Sequence, residues 1–330
     1  MTAPDSPALW TKAIPPARDR LQSRILVWIA LPVLCYSVFS EFQRMYRVGF
    51  LRGPFIDVLK RSDYSLAQAI AVSAIFALAS WRLRAATLFA AASGGMICLL
   101  VTMHSQQGAG ALQSGLTPLV LLFILTFEAT RLGRARKVTA GLAENRKGRN
   151  AAQIIANLSV AALYSSLWGL EVFAGWGYAT IGSYQGTGRG IYAFRAAFSL
   201  PVLAALTEAT ADTVSSEIGQ AFGGTPFMLT TLRRAPPGTD GAITLLGTLA
   251  GIAAAALIAA SGAPAMGMSA RECLVAFVAG VLGLFFDSLL GATAERRGWL
   301  GNDLVNFSST AFAAAVSLAA IRLFNYDLFR

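Results

Sequence analysis

The chain has 330 residues, 55% of them apolar and 13% charged, with a net charge of +10 and a mean hydropathy of +0.57. Soluble domains carry about 25% charged residues, so this composition excludes a soluble globular protein and specifies an integral membrane one. A single histidine excludes a multi-histidine metal centre, and three cysteines without paired spacing exclude a disulfide framework or a zinc motif.

Apolar windows predict helices over 25–40, 65–81, 85–103, 116–130, 151–168, 191–207, 242–262, 273–291 and 306–324. Several are shorter than the ~20 residues that comfortably cross a bilayer. The expected fold is therefore all-α, a polytopic transmembrane helix bundle of eight or nine spans. The mixed-charge residues before the first window are followed by no small-residue cleavage site, so the first span is expected to stay as an anchor. Segment 42–62, FQRMYRVGFLRGPFIDVLKRS, mixes aromatic with basic residues and reads as an interfacial amphipathic helix. This divides the chain into an N-terminal anchor with an interfacial segment, 1–62, and a membrane-embedded catalytic bundle, 63–330. Cys35, Cys98 and Cys273 lie in apolar stretches and read as small core residues.

Charge sets the orientation. Loop 131–149 carries seven basic residues and one acidic, whereas 104–115 carries neither and 169–188 only Glu171. The positive-inside rule places 131–149 in the cytoplasm, and alternation then places 208–241 and 292–305 on the same side. Five basic residues between 41 and 64 fit this less well, unless 65–81 does not fully cross or 41–62 is interfacial.

Carboxylates at membrane depth are costly and usually face a bundle interior, a cavity or an ion. This chain has several on its apolar helices. Glu208, Asp212 and Ser216 are four apart and share a helix face, with Glu217 turned away from Glu208. Asp287 and the small Gly291 share another, which permits close approach of a helix or a ligand. Asn302 and Asn306 continue to Ser309 at similar helical spacing. Asn302 reads either as the cap of the last helix or as a site residue. Asn150, Gln153 and Asn157 form a polar stripe after Lys147, Gly148 and Arg149, suited to interhelical hydrogen bonds or to a phosphate contact. Gly238-Thr239-Asp240-Gly241 is either a plain turn or a backbone cradle for phosphate. Basic groups opposite carboxylates on one membrane face suit a magnesium–polyphosphate complex, with oxygen ligands on the metal and Arg on phosphate.

Neither a G-x-x-x-x-G-K-[ST] phosphate loop nor a G-x-S-x-G nucleophile elbow occurs. A triad hydrolase would need His104, which falls between spans on the opposite side. Basic residues are not interleaved with an aromatic platform, so no nucleic-acid partner is expected.

Four strings, GLAENRKGRNAAQIIAN, LTEATADTVSSEIGQAFGG, RRAPPGTDGAITLLGTLAG and FFDSLLGATAERRGWLGNDLVNFSST, resemble an integral-membrane family. It includes plant phytyl-phosphate kinase and eukaryotic transmembrane protein 19, and in bacteria it is a domain-of-unknown-function family. The resemblance is ordered along about residues 85–324. ADTVSSEIGQAFG is also similar to the GD-x-x-A-x-x-x-G-x-x-FG signature of CTP-using dolichol and phytol kinases, with Ala211 standing in place of Gly.

The resemblance implies phosphoryl transfer from CTP or another nucleoside triphosphate to an isoprenyl monophosphate, with Mg2+. By motif, Glu208, Asp212, Glu217 and Asp287 become the candidate catalytic residues, Asp212 and Asp287 also the magnesium ligands. Arg149, Asn150, Gln153, Asn157, Arg234, Gly238, Thr239, Gly241, Asn302 and Asn306 become candidates for nucleotide or phosphate binding. An acceptor that is already a phosphate needs no strong base, so Glu208 or Glu217 is expected to orient rather than deprotonate. Asp240 departs from the Ser or Gly expected in the turn. The implied partners are an isoprenoid lipid phosphate, a nucleoside triphosphate and membrane lipids. The expected location is a bacterial inner membrane, with the site on its cytoplasmic face. The alternative is an ion-coupled transporter or lipid flippase that uses intramembrane carboxylates.

Overall fold

Each of the nine apolar windows lies on a helix in the computed structural model, which describes residues 14–47, 65–103, 112–142, 148–166, 168 and 188–323. The helices are α1 (Pro16–Arg47), α2 (Ser65–Arg82), α3 (Leu88–Met103), α4 (Leu116–Arg131), a short α5 (Arg134–Thr139), α6 (Ala151–Tyr164), α7 (Gly188–Phe222), α8 (Leu245–Ala265), α9 (Ala270–Leu290) and α10 (Asn302–Leu323). His104, Lys147 and most of 42–62 lie outside the described residues. Loop 131–149 is partly helical, since α5 occupies its first half.

Four helical stretches are long and apolar enough to cross a membrane: α1, α8, Ala270–Glu295 and Asn302–Ile321. The apolar helices α2, α3 and α6 are shorter. At 14 residues, α6 rises only about 21 Å against a hydrocarbon core of roughly 30 Å.

The 35-residue α7 is the central element, packed against α4, α6, α8, α9 and α10. Small residues make that enclosure possible. A Cβ on Gly251 of α8 would strike the Ala211 carbonyl, and one on Gly280 of α9 would strike Thr207. The buried hydroxyls of Thr207 and Thr210 donate to the carbonyls of Leu203 and Leu206, each at 2.7 Å. Neither hydroxyl is therefore stranded in the apolar interior. Leu200, Leu203 and Leu206 join Leu119, Leu158 and Ile258 in the main core.

Helix ends are set by their sequences. Ser269 caps α9 in a capping box with Glu272, and Thr244 caps α8 by accepting from the Gly247 N–H at 3.1 Å. The last helix starts differently from the capping alternative. Gly301 accepts the first bonds from Leu304 and Val305, so Asn302 sits inside the first turn and its side chain is released from capping. Cys98 is buried as expected, but Cys35 is exposed on α1, which corrects its reading as a core residue.

A short hairpin departs from the helical pattern of the described residues. Between α7 and α8, Phe227–Met228 (β1) pairs antiparallel with Ala242–Ile243 (β2), in the register Phe227 to Ile243. This small hairpin folds the proline- and glycine-rich connection back over the end of the bundle.

Candidate functional site

The C-terminal half of α7 opens into a polar cavity of about 290 Å3. The start of α6, the hairpin connection, the end of α9 with the turn after it, and the start of α10 complete its walls. The segments that charge alone assigned to one membrane face therefore meet around one space. Of the sequence-derived residues, Arg149, Gln153, Asn157, Asp212, Glu217, Gly238, Thr239, Gly241, Asp287, Asn302 and Asn306 line it.

Asp212 and Asp287 are within hydrogen-bonding reach of each other, and the Arg149 guanidinium attracts Asp212. The Ser309 hydroxyl donates to Asp287 Oδ2 at 3.2 Å. Glu208 lies one turn deeper and does not line the cavity. It is 1% exposed, and neither of its oxygens has a hydrogen-bond partner of good geometry among the described residues. Gly283 of α9 is what makes room there, since a Cβ would strike the Glu208 side chain.

Glu295 also lines the cavity, is buried, and repels Asp287. Sequence reasoning passed over it, although Asp287, Gly291 and Glu295 recur at four-residue spacing. The last two lie in a π-helical turn, Gly291–Glu295, that prolongs α9. Among the described residues, Arg149 is the one basic side chain lining this acidic space. Buried like charges oppose one another, so a bound cation or bound protons would relieve the repulsion between these acids.

The donor set consists of carboxylates, amides and hydroxyls. Mg2+ takes one or two carboxylates and fills its remaining positions with water and phosphate oxygens. No group of three or more His, Cys, Asp or Glu side chains forms a complete metal cage among the described residues. Asp212 and Asp287 match such a donor set in number and chemistry.

Glu217 has a different role from the other acids. It forms a buried ion pair with Lys137 of α5 and accepts from the Thr130 hydroxyl at 3.2 Å. Lys137 also donates to the carbonyls of Ala129 at 3.1 Å and Thr130 at 2.8 Å, so it closes the end of α4. In the sequence Lys137 looked like one more topology-setting charge.

Asn150 is the N-cap of α6. Its side chain accepts from the Gln153 N–H at 3.0 Å, and Gln153 Oε1 accepts from the Asn150 N–H at 2.8 Å. This capping box keeps Asn150 out of the cavity wall. Asn157 Nδ2 donates to the Gln153 carbonyl at 2.8 Å. Arg149 is fixed by its backbone, which exchanges bonds with the Ala85 carbonyl and the Thr87 N–H. That pairing requires Gly148, at φ +83°, whose Cβ would overlap the backbone at Arg84 and Ala85.

The 238–241 turn forms one wall. Gly241 has φ +71°, and a Cβ there would collide with the backbone of Gly291 and Ala292. The small Gly291 thus serves the docking of this turn. Thr239 is buried and its hydroxyl donates to the Pro236 carbonyl at 2.7 Å. Arg234 is exposed on the hairpin, outside the cavity.

A family model described as "Integral membrane protein DUF92" matches residues 71–314, a span containing all four resemblance-bearing strings. Protein VTE6, chloroplastic, of Arabidopsis thaliana is 28% identical over 311 residues, covering 86% of this chain and 89% of the relative. An uncharacterized membrane protein of Synechocystis, sll0875, is 29% identical over 200 residues, 59% of this chain and 69% of its own length. Protein PGR of Arabidopsis thaliana is 26% identical over 252 residues, 72% of this chain and 81% of the relative. No solved structure matches the chain. The resemblance read from the motifs is borne out: the chain belongs to the integral membrane protein DUF92 family.

Proposed function

We propose that this chain is a membrane-bound phosphotransferase, moving a phosphoryl group from CTP or another nucleoside triphosphate to an isoprenyl monophosphate. It would work at the cytoplasmic rim of a bacterial inner-membrane bundle of eight or nine spans. The supporting observation is the single cavity that gathers Asp212, Asp287, Arg149, Asn302, Asn306 and the 238–241 turn. The resemblance to the phytyl-phosphate kinase family supplies the reaction class.

Phosphoryl transfer asks a protein mainly for positioning and charge neutralisation. An oxygen of the acceptor phosphate attacks the terminal phosphorus of the donor, the bond to the bridging oxygen breaks, and the nucleoside diphosphate leaves. The lipid diphosphate is the product. The acceptor oxygen is already ionised at neutral pH, so no side chain has to remove a proton. Glu217, held in its ion pair with Lys137, is free of any need to act as a base. Asp212 and Asp287 would hold magnesium, which would supply charge neutralisation of phosphate oxygens. Arg149 holds phosphate by charge-assisted hydrogen bonds. Asn157, Asn302 and Asn306 orient the donor with amide groups, and the 238–241 turn offers backbone N–H groups.

Thermal unfolding in detergent with CTP, ATP, GTP and UTP, each with and without magnesium, tests the donor site. A ligand at ~100 times its Kd stabilises by about 2.7 kcal/mol. The expected result is a shift with one nucleotide that needs magnesium and disappears on chelation. No shift with any nucleotide counts against the reading. Glu208, buried and without a well-formed hydrogen bond among the described residues, favours one competitor, proton-coupled transport. That reading predicts substrate uptake driven by a pH gradient without nucleotide, abolished in Glu208→Gln.

A further inference from the structure

A second cavity, of about 490 Å3, lies between α2, α3, α4 and α6 and is walled mainly by apolar side chains. It is within the size range of small-molecule sites. Its charged groups gather at one end. Arg84, Arg131, Arg134 and Arg149 line it, and no acidic side chain does. From Leu122 to Arg131 on α4, the wall falls about 13 Å from the arginine rim into the apolar interior.

The rim is built. Arg84 holds a left-handed backbone, φ 56°, a strained conformation for a residue with a side chain. The Arg131 guanidinium lies 3.7 Å over the Phe127 ring and donates to the Leu83 carbonyl at 3.2 Å. Neither Arg84 nor Arg131 has an ion pair among the described residues. Arginines massed at the end of an apolar chamber are complementary to an anion carrying an apolar tail. Arg149 and Asn157 line this cavity and the polar one alike, so they form the wall between them. On the bilayer side, α2 packs along α3 without extended packing on α4. An edge-to-face contact of Phe76 with Phe123, centroids 5.4 Å apart, spans that gap.

We propose that this cavity binds a single-chain lipid monophosphate, its tail between α2, α3 and α4, its phosphate on Arg84 and Arg131. From there Arg149 presents the phosphate to the polar cavity. The role as acceptor site rests on the phosphotransferase reading; the binding itself does not.

The test uses full-length protein in nanodiscs with four probes: geranylgeranyl monophosphate, geranylgeraniol, inorganic phosphate and dioleoyl phosphatidic acid. Geranylgeranyl monophosphate is expected to bind at least about 10-fold tighter than each of the others. Arg84→Ala with Arg131→Ala removes charged hydrogen bonds and should weaken it roughly 10- to 100-fold. Gly94→Leu fills the chamber. A Cβ there meets Phe76 and Ile154 at ordinary contact, 3.8 and 3.9 Å, and the rest of the side chain projects into the space. It should weaken tail binding comparably, and Leu favours the helix over Gly. An unchanged melting temperature shows that each variant is folded. Unchanged lipid affinity in both variants overturns the proposal, as does equal binding of the alcohol, of free phosphate or of the diacyl lipid. Specific lipid binding without any nucleotide shift would uphold this cavity and sink the kinase reading. A nucleotide shift with lipid binding indifferent to Arg84, Arg131 and Gly94 would do the reverse.

Discussion

Lys137→Met separates structure from chemistry at Glu217. The Lys137 side chain is 1% exposed and that of Glu217 8%, so their ion pair is shielded from water. Removing one member of a buried pair strands the other charge and costs about 3–5 kcal/mol. Lys137→Met also releases the carbonyls of Ala129 and Thr130, so the upper part of that range is expected. Glu217→Gln should cost less, because Lys137 keeps both carbonyls and the amide oxygen introduced there can still accept from Thr130. Replacing both should recover most of the loss, with a residual of about 1–2 kcal/mol for the uncapped end of α4. The assay is denaturation of detergent-solubilised protein, wild type beside the single and double variants, with phosphoryl transfer measured on each folded sample. A structural Glu217 predicts that the double variant is both stable and active. A double variant that is stable but inactive would refute this and return Glu217 to the catalytic set. A Lys137→Met variant within ~0.5 kcal/mol of wild type would refute the buried pair itself.

Three further outcomes follow from the geometry. Asn150→Ala removes the α6 capping box and should cost about 1 kcal/mol in denaturation with nucleotide affinity unchanged; a tenfold weaker nucleotide at full stability would instead place Asn150 on the ligand. Gly241→Val forces a side chain into the backbone at Gly291 and Ala292 from a positive φ. It should lower stability by about 1–3 kcal/mol and abolish the nucleotide-dependent thermal shift, and normal values of both would show that the turn is not docked there. Glu295→Gln removes a negative charge facing Asp287, so the magnesium needed for half-maximal stabilisation by nucleotide should rise severalfold. An unchanged requirement would put Glu295 outside the field of the metal.

The helices were legible because long apolar runs have few alternatives in a membrane. The convergence of three polar segments was legible because positive charges mark one face. Both signals are one-dimensional, and what they miss depends on the third dimension. Lys137 is one of seven basic residues in its loop, and nothing in the string says that it is buried against α4 and α7. The N-x-x-Q spacing of Asn150 and Gln153 is itself a capping-box pattern, but it was read as a polar stripe because Asn157 continues it. Asn302 resembled a cap until Gly301 took that place. Glu295 was legible by its spacing from Asp287, yet its inward path relies on a π-helical turn. The apolar cavity had no signature at all. Its apolar lining reads as ordinary core, Arg131 and Arg134 as topology-setting charge, and Arg149 and Asn157 as candidates for the polar site.

The most direct measurement of the central claim is product formation. Purified protein is incubated with magnesium, CTP labelled in its terminal phosphate, and geranylgeranyl monophosphate, and the lipid diphosphate is counted. The account predicts labelled diphosphate, with loss of about 100-fold or more in Asp212→Asn and in Asp287→Asn while both variants remain folded. Absence of transfer from CTP, ATP, GTP and UTP alike, or undiminished transfer in either variant, would contradict it.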